Sequence, residues 1–469
     1  MQQLPRRLTF LTVVAIVIGD VIGSGIFLKP ATIAQQFPSM EGILLLWLLA
    51  GAVTLMGALT NAEAASLFPE TGGQYVLFKH MYGQLFAFLY GWASFIVINT
   101  AGIASIAYVA AYYFDYLWPL FRFDQQTEQS VSLFIPGLGK FYMLEFFGRK
   151  AMTILIMLLF TIVNVYSVKE SATLQRWLTA SKLVVVLGFI ASLFIFGSNT
   201  TPTDPLISSS NLTIVGFVSA LAGIFWCFDG WNNVSFVAGE IVNPEKVIWR
   251  SLFIGLSVCC GVYLLFNLAI FYVLPLNVIQ SSNFVAAQAA DSVFPLWGGI
   301  LVSAIVLFSI LSAVNGNILS CSRISFSFFK DFPVSQKLTT VRTGSQSPSG
   351  SLWANTFWAS ALVMIGSFDM LTDLLIFVSW FFYGMSALGV ILLRSKMPDV
   401  QRPYKVPLYP WLPLGFILFS FFYLILTIYA DIQAYALGQQ ANIKCLLGFI
   451  LVLSGLPIYF WKRRKEVGS

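Results

Sequence analysis

Residues 17–30 read VIGDVIGSGIFLKP. The stretch lies inside an apolar run long enough to cross a membrane, which takes about 20 residues of helix. Asp20 and then Gly23, Ser24 and Gly25 interrupt that run. Glycine releases the backbone from helical geometry, and an unwound turn leaves amides and carbonyls without intrahelical partners. Inside a bilayer such a turn is tolerated only where it is buried in protein or lines a cavity. Free amides at the start of the second half-helix, at its positive dipole end, suit a carboxylate. A seam of small residues between closely packed helices reads the same way, so this stretch alone leaves both readings open.

A second interruption stands in GIFWCFDGWNN, residues 223–233. Asp229 and Gly230 break the apolar run, and Asn232 and Asn233 follow. An acid near mid-membrane costs about 2.5–3.5 kcal/mol on insertion scales. Breaks at matching positions in two halves of a chain point to a transport site built from inverted repeats. Here they fall in the first and sixth apolar spans. The expected layout is a first five-helix repeat over 1–200, a second over 201–400, and two further helices with a tail over 401–469. The repeat rests on placement, since the halves share no residue-level similarity.

The rest of the chain has the composition of a membrane. Of its 469 residues 58% are hydrophobic and only 10% charged, against about 25% charged in soluble domains. Apolar runs predict about twelve spans, near 8–36, 41–66, 82–114, 150–167, 171–197, 211–239, 249–273, 293–320, 353–368, 372–393, 409–430 and 441–461. The charged N-terminus is not read as a signal peptide, because no small-residue cleavage site follows it. With the N-terminus inside, most of the 26 basic residues, including Arg6, Lys79, Lys169, Arg176, Arg250, Arg394 and the tail KRRK at 462–465, fall on the inner side. Asp115, Asp204, Asp291 and Asp431 fall on the outer side. This positive-inside bias predicts a multi-pass protein of the cell membrane with both termini in the cytoplasm. The net charge of +6 reflects loop topology rather than a nucleic-acid partner. Five cysteines lie in apolar segments without a CxxC pair, so neither a metal site nor a disulfide framework is expected.

Catalytic signatures are missing. The one histidine, His80, stands alone, and there is no HExxH, Gly-x-Ser-x-Gly or phosphate-binding loop. Neither an enzyme nor a cofactor is expected. Polar residues inside spans are the better signal. Lys182 lies several residues into the fifth span. It is either an internal cation, holding the place of a sodium ion or shuttling a proton, or an interfacial anchor if the helix starts near Arg176. Asn99, Thr100, Ser105, Asn315, Asn317 and Ser379 beside Trp380 also mark span interiors, whereas Glu63 reads as interfacial. Asp20 either pairs with Lys182 or faces an inner vestibule.

Five motifs occur together: IGSGIF (22–27), NVYSVK (164–169), Ser181-Lys182, FDGWNN (228–233) with GEIVNPEK (239–246), and RPYKVPLYP (402–410). The combination resembles the amino acid–polyamine–organocation superfamily, and within it the L-amino-acid transporter branch in its bacterial form, from about residue 8 to 461. The resemblance implies an all-α polytopic protein of the LeuT-type fold, with a 5+5 inverted repeat, broken helices one and six, and two peripheral helices. It implies that the amides of Gly23, Ser24 and Gly25 hold a substrate carboxylate. Carbonyls of Val21, Trp226 and Asp229 then hold the ammonium. Trp226 is an aromatic gate, Asn232, Asn99, Ser379 and Trp380 shape the side-chain pocket, and Lys182 replaces a sodium site. Asp229 departs from the glycine of many animal members; it either caps the turn or acts as counter-charge to a cationic substrate. The outer loop lacks the cysteine that binds a heavy chain, so the expected form is a monomer or weak homo-oligomer. The implied function is alternating-access transport of amino acids, with exchange of neutral L-amino acids preferred over transport of cationic amino acids or polyamines, over proton symport, and over a substrate-gated channel or sensor.

Overall fold

The computed structural model describes residues 6, 8–37, 39–70, 72–166, 168–198, 213–332, 336–342, 345 and 347–467, and for 168–181 and 465–467 the helical path alone. Asp204 and the side chains of Lys169 and Arg176, used above for orientation, lie outside the described residues, as does the division at 200/201.

The first broken span forms helices α1 (Phe10–Val21) and α2 (Gly25–Gln36). Then come α3 (Met40–Leu67), α4 (Gln74–Tyr82), α5 (Gln84–Leu117), α6 (Phe147–Tyr166) and α7 (Val168–Phe196). The second broken span is α8 (Ile214–Phe228) followed by a 3₁₀ segment, Trp231–Glu240. The remainder is α9 (Pro244–Val273), α10 (Val285–Val293), α11 (Gly298–Asp331), α12 (Ser349–Ile365), α13 (Phe368–Lys396), α14 (Trp411–Ala436), α15 (Lys444–Leu453) and α16 (Gly455–Val467). The described residues are mostly helical, with a short hairpin, Ser132–Ile135 paired with Gly139–Tyr142, in the long loop before α6. Among the described residues nine helices are long and apolar enough to cross a membrane, or ten if the bent pair α1–α2 is one span. About twelve were expected; α7 is apolar over the shorter stretch Lys182–Phe196, and α12 has 17 residues, one below the length counted as a span.

Local chemistry starts these helices where the sequence changes character. The hydroxyls of Ser39, Thr213 and Ser367 accept amide hydrogen bonds from Gly42, Gly216 and Met370 at 3.0, 3.0 and 3.3 Å. Each satisfies one of the orphan donors of a first turn. In α5 the helix widens by one π-type turn over Ser94–Ile98, and Thr100 donates back to the Phe95 carbonyl at 2.9 Å. Such a turn re-aims the residues that follow it, Asn99 first.

Packing sorts the core into two groups. The broken helices pack with α3 and α9, whereas α5 and α6 pack with α11 and α12. The central cavity lies between the groups, with α7 and α13 closing its sides. The two broken spans are joined at one end, where the Leu8 amide donates to the Glu240 carbonyl at 2.9 Å and the Val242 amide to the Leu8 carbonyl at 3.0 Å. Glu63, read from sequence as interfacial, is buried. It takes two hydrogen bonds from Arg394 at 2.8 and 2.6 Å and one from the Val406 amide at 2.8 Å. A buried carboxylate needs such partners, and these lie more than 300 residues away, beyond reach of any local pattern.

Candidate functional site

The cavity has a volume of about 220 Å³. It is lined by Val21, Gly23, Ser24, Gly25, Asn99, Lys182, Trp226, Asp229, Asn232 and Ser379, so every expected site residue but Trp380 meets there.

At the first break the axes of α1 and α2 bend by 45°. Helix α1 closes with the Ile22 amide on the Ile18 carbonyl at 2.8 Å, and backbone bonding resumes with Phe27 on Ser24 at 3.2 Å. Among the described residues the amides of Gly23, Ser24, Gly25 and Ile26 have no backbone acceptor. The Ser24 hydroxyl is buried without a partner. The two glycines have different reasons to be glycine. A Cβ on Gly23 would meet nothing nearer than the Val21 carbonyl at 3.9 Å, which is open cavity. A Cβ on Gly25 would stand 2.6 Å from the Cys227 sulfur and 3.1 Å from the Trp226 ring. The cavity reading fits Gly23 and the packing-seam reading fits Gly25.

At the second break Asp229 turns to extended backbone, its amide still on the Trp226 carbonyl at 3.3 Å. Gly230 has φ +102°, a conformation that favours glycine. A Cβ there would lie 2.9 Å from the Asp20 carbonyl, so the two breaks touch. Tyr383 of α13 donates its hydroxyl to Asp229 Oδ1 at 2.7 Å. Tyr263 of α9, fully buried, places its hydroxyl 2.7 Å from both the Val21 and Cys227 carbonyls. One phenol thus ties the last turns of both broken helices, and it shares the Val21 carbonyl expected to face an ammonium. Neither tyrosine was singled out from sequence. In an apolar run a tyrosine reads as packing, although Tyr383 stands one turn from Ser379 on the same helix face.

The same geometry explains Trp380. Adjacent residues on a helix point about 100° apart, and here Ser379 faces the cavity while Trp380 does not. Trp380 packs away from it, 4.1 Å from Phe225 and 5.3 Å from Tyr423 between ring centroids. Asn232 lines the cavity but is also tied to the scaffold: its Oδ1 accepts from Asn61 at 3.0 Å, and Asn61 Oδ1 accepts from Ser386 at 2.7 Å. Asn99 keeps an unpartnered, buried Nδ2. Lys182 is buried, with Nζ 3.4 Å from the Gly19 carbonyl. Asp20 accepts from Asn233 Nδ2 at 3.1 Å, with no ion pair to Lys182 within 4 Å among the described residues.

The ends of the cavity differ. Where α2 and the start of α13 meet, it is covered. Trp226 packs edge-on to Phe368 at 5.3 Å. Lys29 Nζ lies 4.7 Å from the Phe368 ring centroid and 5.8 Å from that of Trp226, and pairs with Asp369 at 2.9 Å. No local pattern marks this pair, whose members are 340 residues apart. At the other end Asp20 is exposed. Among the described residues no group of His, Cys, Asp or Glu gathers to hold a metal. The arrangement offers bare amides at the first break and carbonyls from both breaks, which suits a small molecule carrying both carboxylate and ammonium.

Comparison with known proteins agrees with this chemistry. The family described as "Amino acid permease" matches residues 8–451. The chain is 29% identical over 472 residues to the serine/threonine exchanger SteT of Bacillus subtilis, covering 99% of this chain and 98% of that protein. It is 28% identical over 460 residues to the cystine/glutamate transporter of Homo sapiens, covering 98% and 85%. It is 26% identical over 461 residues to the human b(0,+)-type amino acid transporter 1, covering 97% and 88%. These relatives are transporters, not enzymes. With its matched region running nearly end to end, the chain belongs to the amino acid permease family, as a multi-pass membrane transporter of amino acids.

Proposed function

We propose that the chain exchanges neutral L-amino acids across the cell membrane by alternating access. The observation that carries this reading is the meeting of both backbone breaks in one cavity. The amides of Gly23, Ser24 and Gly25 take the carboxylate, and carbonyls at Val21, Trp226 and Asp229 take the ammonium. Trp226 covers the amino acid on the side sealed by Lys29 and Asp369. Asn99, Ser379 and Asn232 face its side chain; Tyr383 stands where Trp380 was expected. The relatives include a serine/threonine exchanger, which supports exchange of a polar neutral substrate.

Lys182 supplies a fixed positive charge beside the first break, which argues against sodium coupling at that point. Its contact with the Gly19 carbonyl links α7 to the last turn of α1, so motion of that turn is felt at the lysine. The broken helices with α3 and α9 form one group and α5, α6, α11 and α12 the other; each draws helices from both halves of the chain, which supports two inverted five-helix repeats whose helices are shared between two groups that rock about the cavity. Both termini are assigned to the cytoplasm by the positive-inside bias. The protein acts without a disulfide-linked heavy chain: of its cysteines, Cys227, Cys259, Cys321 and Cys445 are buried and Cys260 is half-buried.

Purified protein in vesicles tests the reading. Uptake of labelled serine or threonine that requires internal amino acid supports exchange. Uptake into empty vesicles driven by a pH gradient overturns exchange in favour of proton symport. The second reading, a carrier of cationic amino acids or polyamines, rests on Asp229 as counter-charge. The hydrogen bond from Tyr383 favours a capping role, in which the carboxylate fixes the break rather than greeting a substrate.

A further inference from the structure

A second cavity, of about 470 Å³, lies outside the polar site between α7, α10 and α11. Its floor is Phe27, Val186, Ala290 and Val306, all buried; its rim carries Trp297 and Leu301, both exposed. Among the described residues its lining carries one polar side chain besides the Trp297 indole: Ser192, already satisfied, donating to the Phe189 carbonyl at 2.7 Å. Gly188 opens the α7 wall: a Cβ there would meet nothing within 4 Å. The rim continues into the apolar outer faces of α7 and α11, where Val184, Leu187, Ile195 and Ile300 are exposed.

The chemistry of the wall narrows the occupant. Water needs two to four polar partners, more than the described lining supplies, while apolar cavities of about 150 Å³ already stay dry and take up benzene-sized ligands. An amino acid would lose the solvation of two charges for nothing. Residues 199–212, next along the chain, read NTTPTDPLISSSNL, and most of that segment is polar. What the surroundings supply to an apolar opening in a membrane face is hydrocarbon. The lining from Gly298 to Val306 runs about 12 Å along α11 at 1.5 Å per residue, a slot long enough for part of an extended chain.

We propose that this crevice binds one acyl chain of a membrane phospholipid. The bound chain lies against Phe27, two residues beyond Gly25, so it touches the second half of the broken helix α2 from the side opposite the substrate. The site is independent of which amino acid is carried.

The test uses the full protein in phosphatidylethanolamine–phosphatidylglycerol vesicles containing a phospholipid with a diazirine midway along one chain. After irradiation, adducts are mapped by mass spectrometry. Adducts at Phe189, Val302 and Val306 in excess of those at Leu155 and Leu159, which are exposed on α6, support the proposal. They disappear in Gly188→Phe, which fills the crevice, while α6 labelling persists. If Gly188→Phe does not insert, Val302→Trp fills the slot from the facing wall and is read the same way. Crevice labelling no greater than that of α6, or labelling that persists in a folded filled variant, overturns it; so does its absence because protein closes the slot.

Discussion

The two breaks do the same thing to the backbone and opposite things chemically. At Ile22–Ser24 the chain sheds side chains and exposes amides; the only hydroxyl there, on Ser24, has no partner. At Asp229–Gly230 the chain keeps a carboxylate, held by Tyr383, and turns through a left-handed glycine. The first break supplies the free amides, and carbonyls come from both breaks, Val21 on one side and Trp226 and Asp229 on the other. A cut helix leaves carbonyls at the end of its first half and amides at the start of its second. Two such helices joined through Tyr263 bring a second set of carbonyls beside the first break's amides. The difference also shows which glycines are replaceable. Gly23 borders empty space, whereas Gly25 and Gly230 are pressed against the partner helix.

The largest effect is expected from Gly23→Leu, which fills the carboxylate position and abolishes amino acid binding by isothermal titration while the protein still inserts; unchanged affinity would make the first break only a packing seam. Next is Lys182→Ala. It slows exchange in vesicles by about tenfold or more, the scale of about 1.4 kcal/mol, with the melting temperature held; a variant that fails to insert would make the lysine structural. Gly230→Ala separates the breaks further. Left-handed backbone at a non-glycine residue costs about 1–3 kcal/mol, and the added methyl presses on Asp20, so its melting temperature falls while that of Gly23→Ala does not. Equal falls would erase the distinction drawn here. Smallest is Asp229→Asn, which leaves the ranking of neutral over cationic amino acids unchanged in competition assays; a loss of lysine or arginine uptake alone would favour the counter-charge reading.

The breaks were legible in the sequence because membranes punish irregularity. Glycine and aspartate inside an apolar run have few reasons to be there, and residues 20–25 and 229–233 advertise themselves. Lys182 was legible for the same reason. What could not be read was pairing across space. Lys29 lies in the half-helix after the first break, and nothing local in the sequence ties it to Asp369 or to the Phe368 ring. Tyr263 and Tyr383 hide because the hydroxyl adds little to the pattern of an aromatic residue. Trp380 misled because an aromatic next to Ser379 invites pairing the two, yet one step along a helix changes the face. Glu63 was misread because its partners, Arg394 at the far end of α13 and the Val406 amide in the loop beyond it, are remote in sequence.

The central claim is that the two breaks bind one zwitterion together, and analogue competition tests it most directly. A transported L-amino acid, its α-amide without the carboxylate, and its N-acetyl form without the ammonium are compared as competitors of labelled substrate on the purified protein. The account predicts that the parent competes and that both analogues fail, one for want of the carboxylate that the first break's amides hold, the other for want of the ammonium that carbonyls of both breaks hold. An analogue that competes as well as the parent would show that one break contributes nothing to binding, and would contradict the claim.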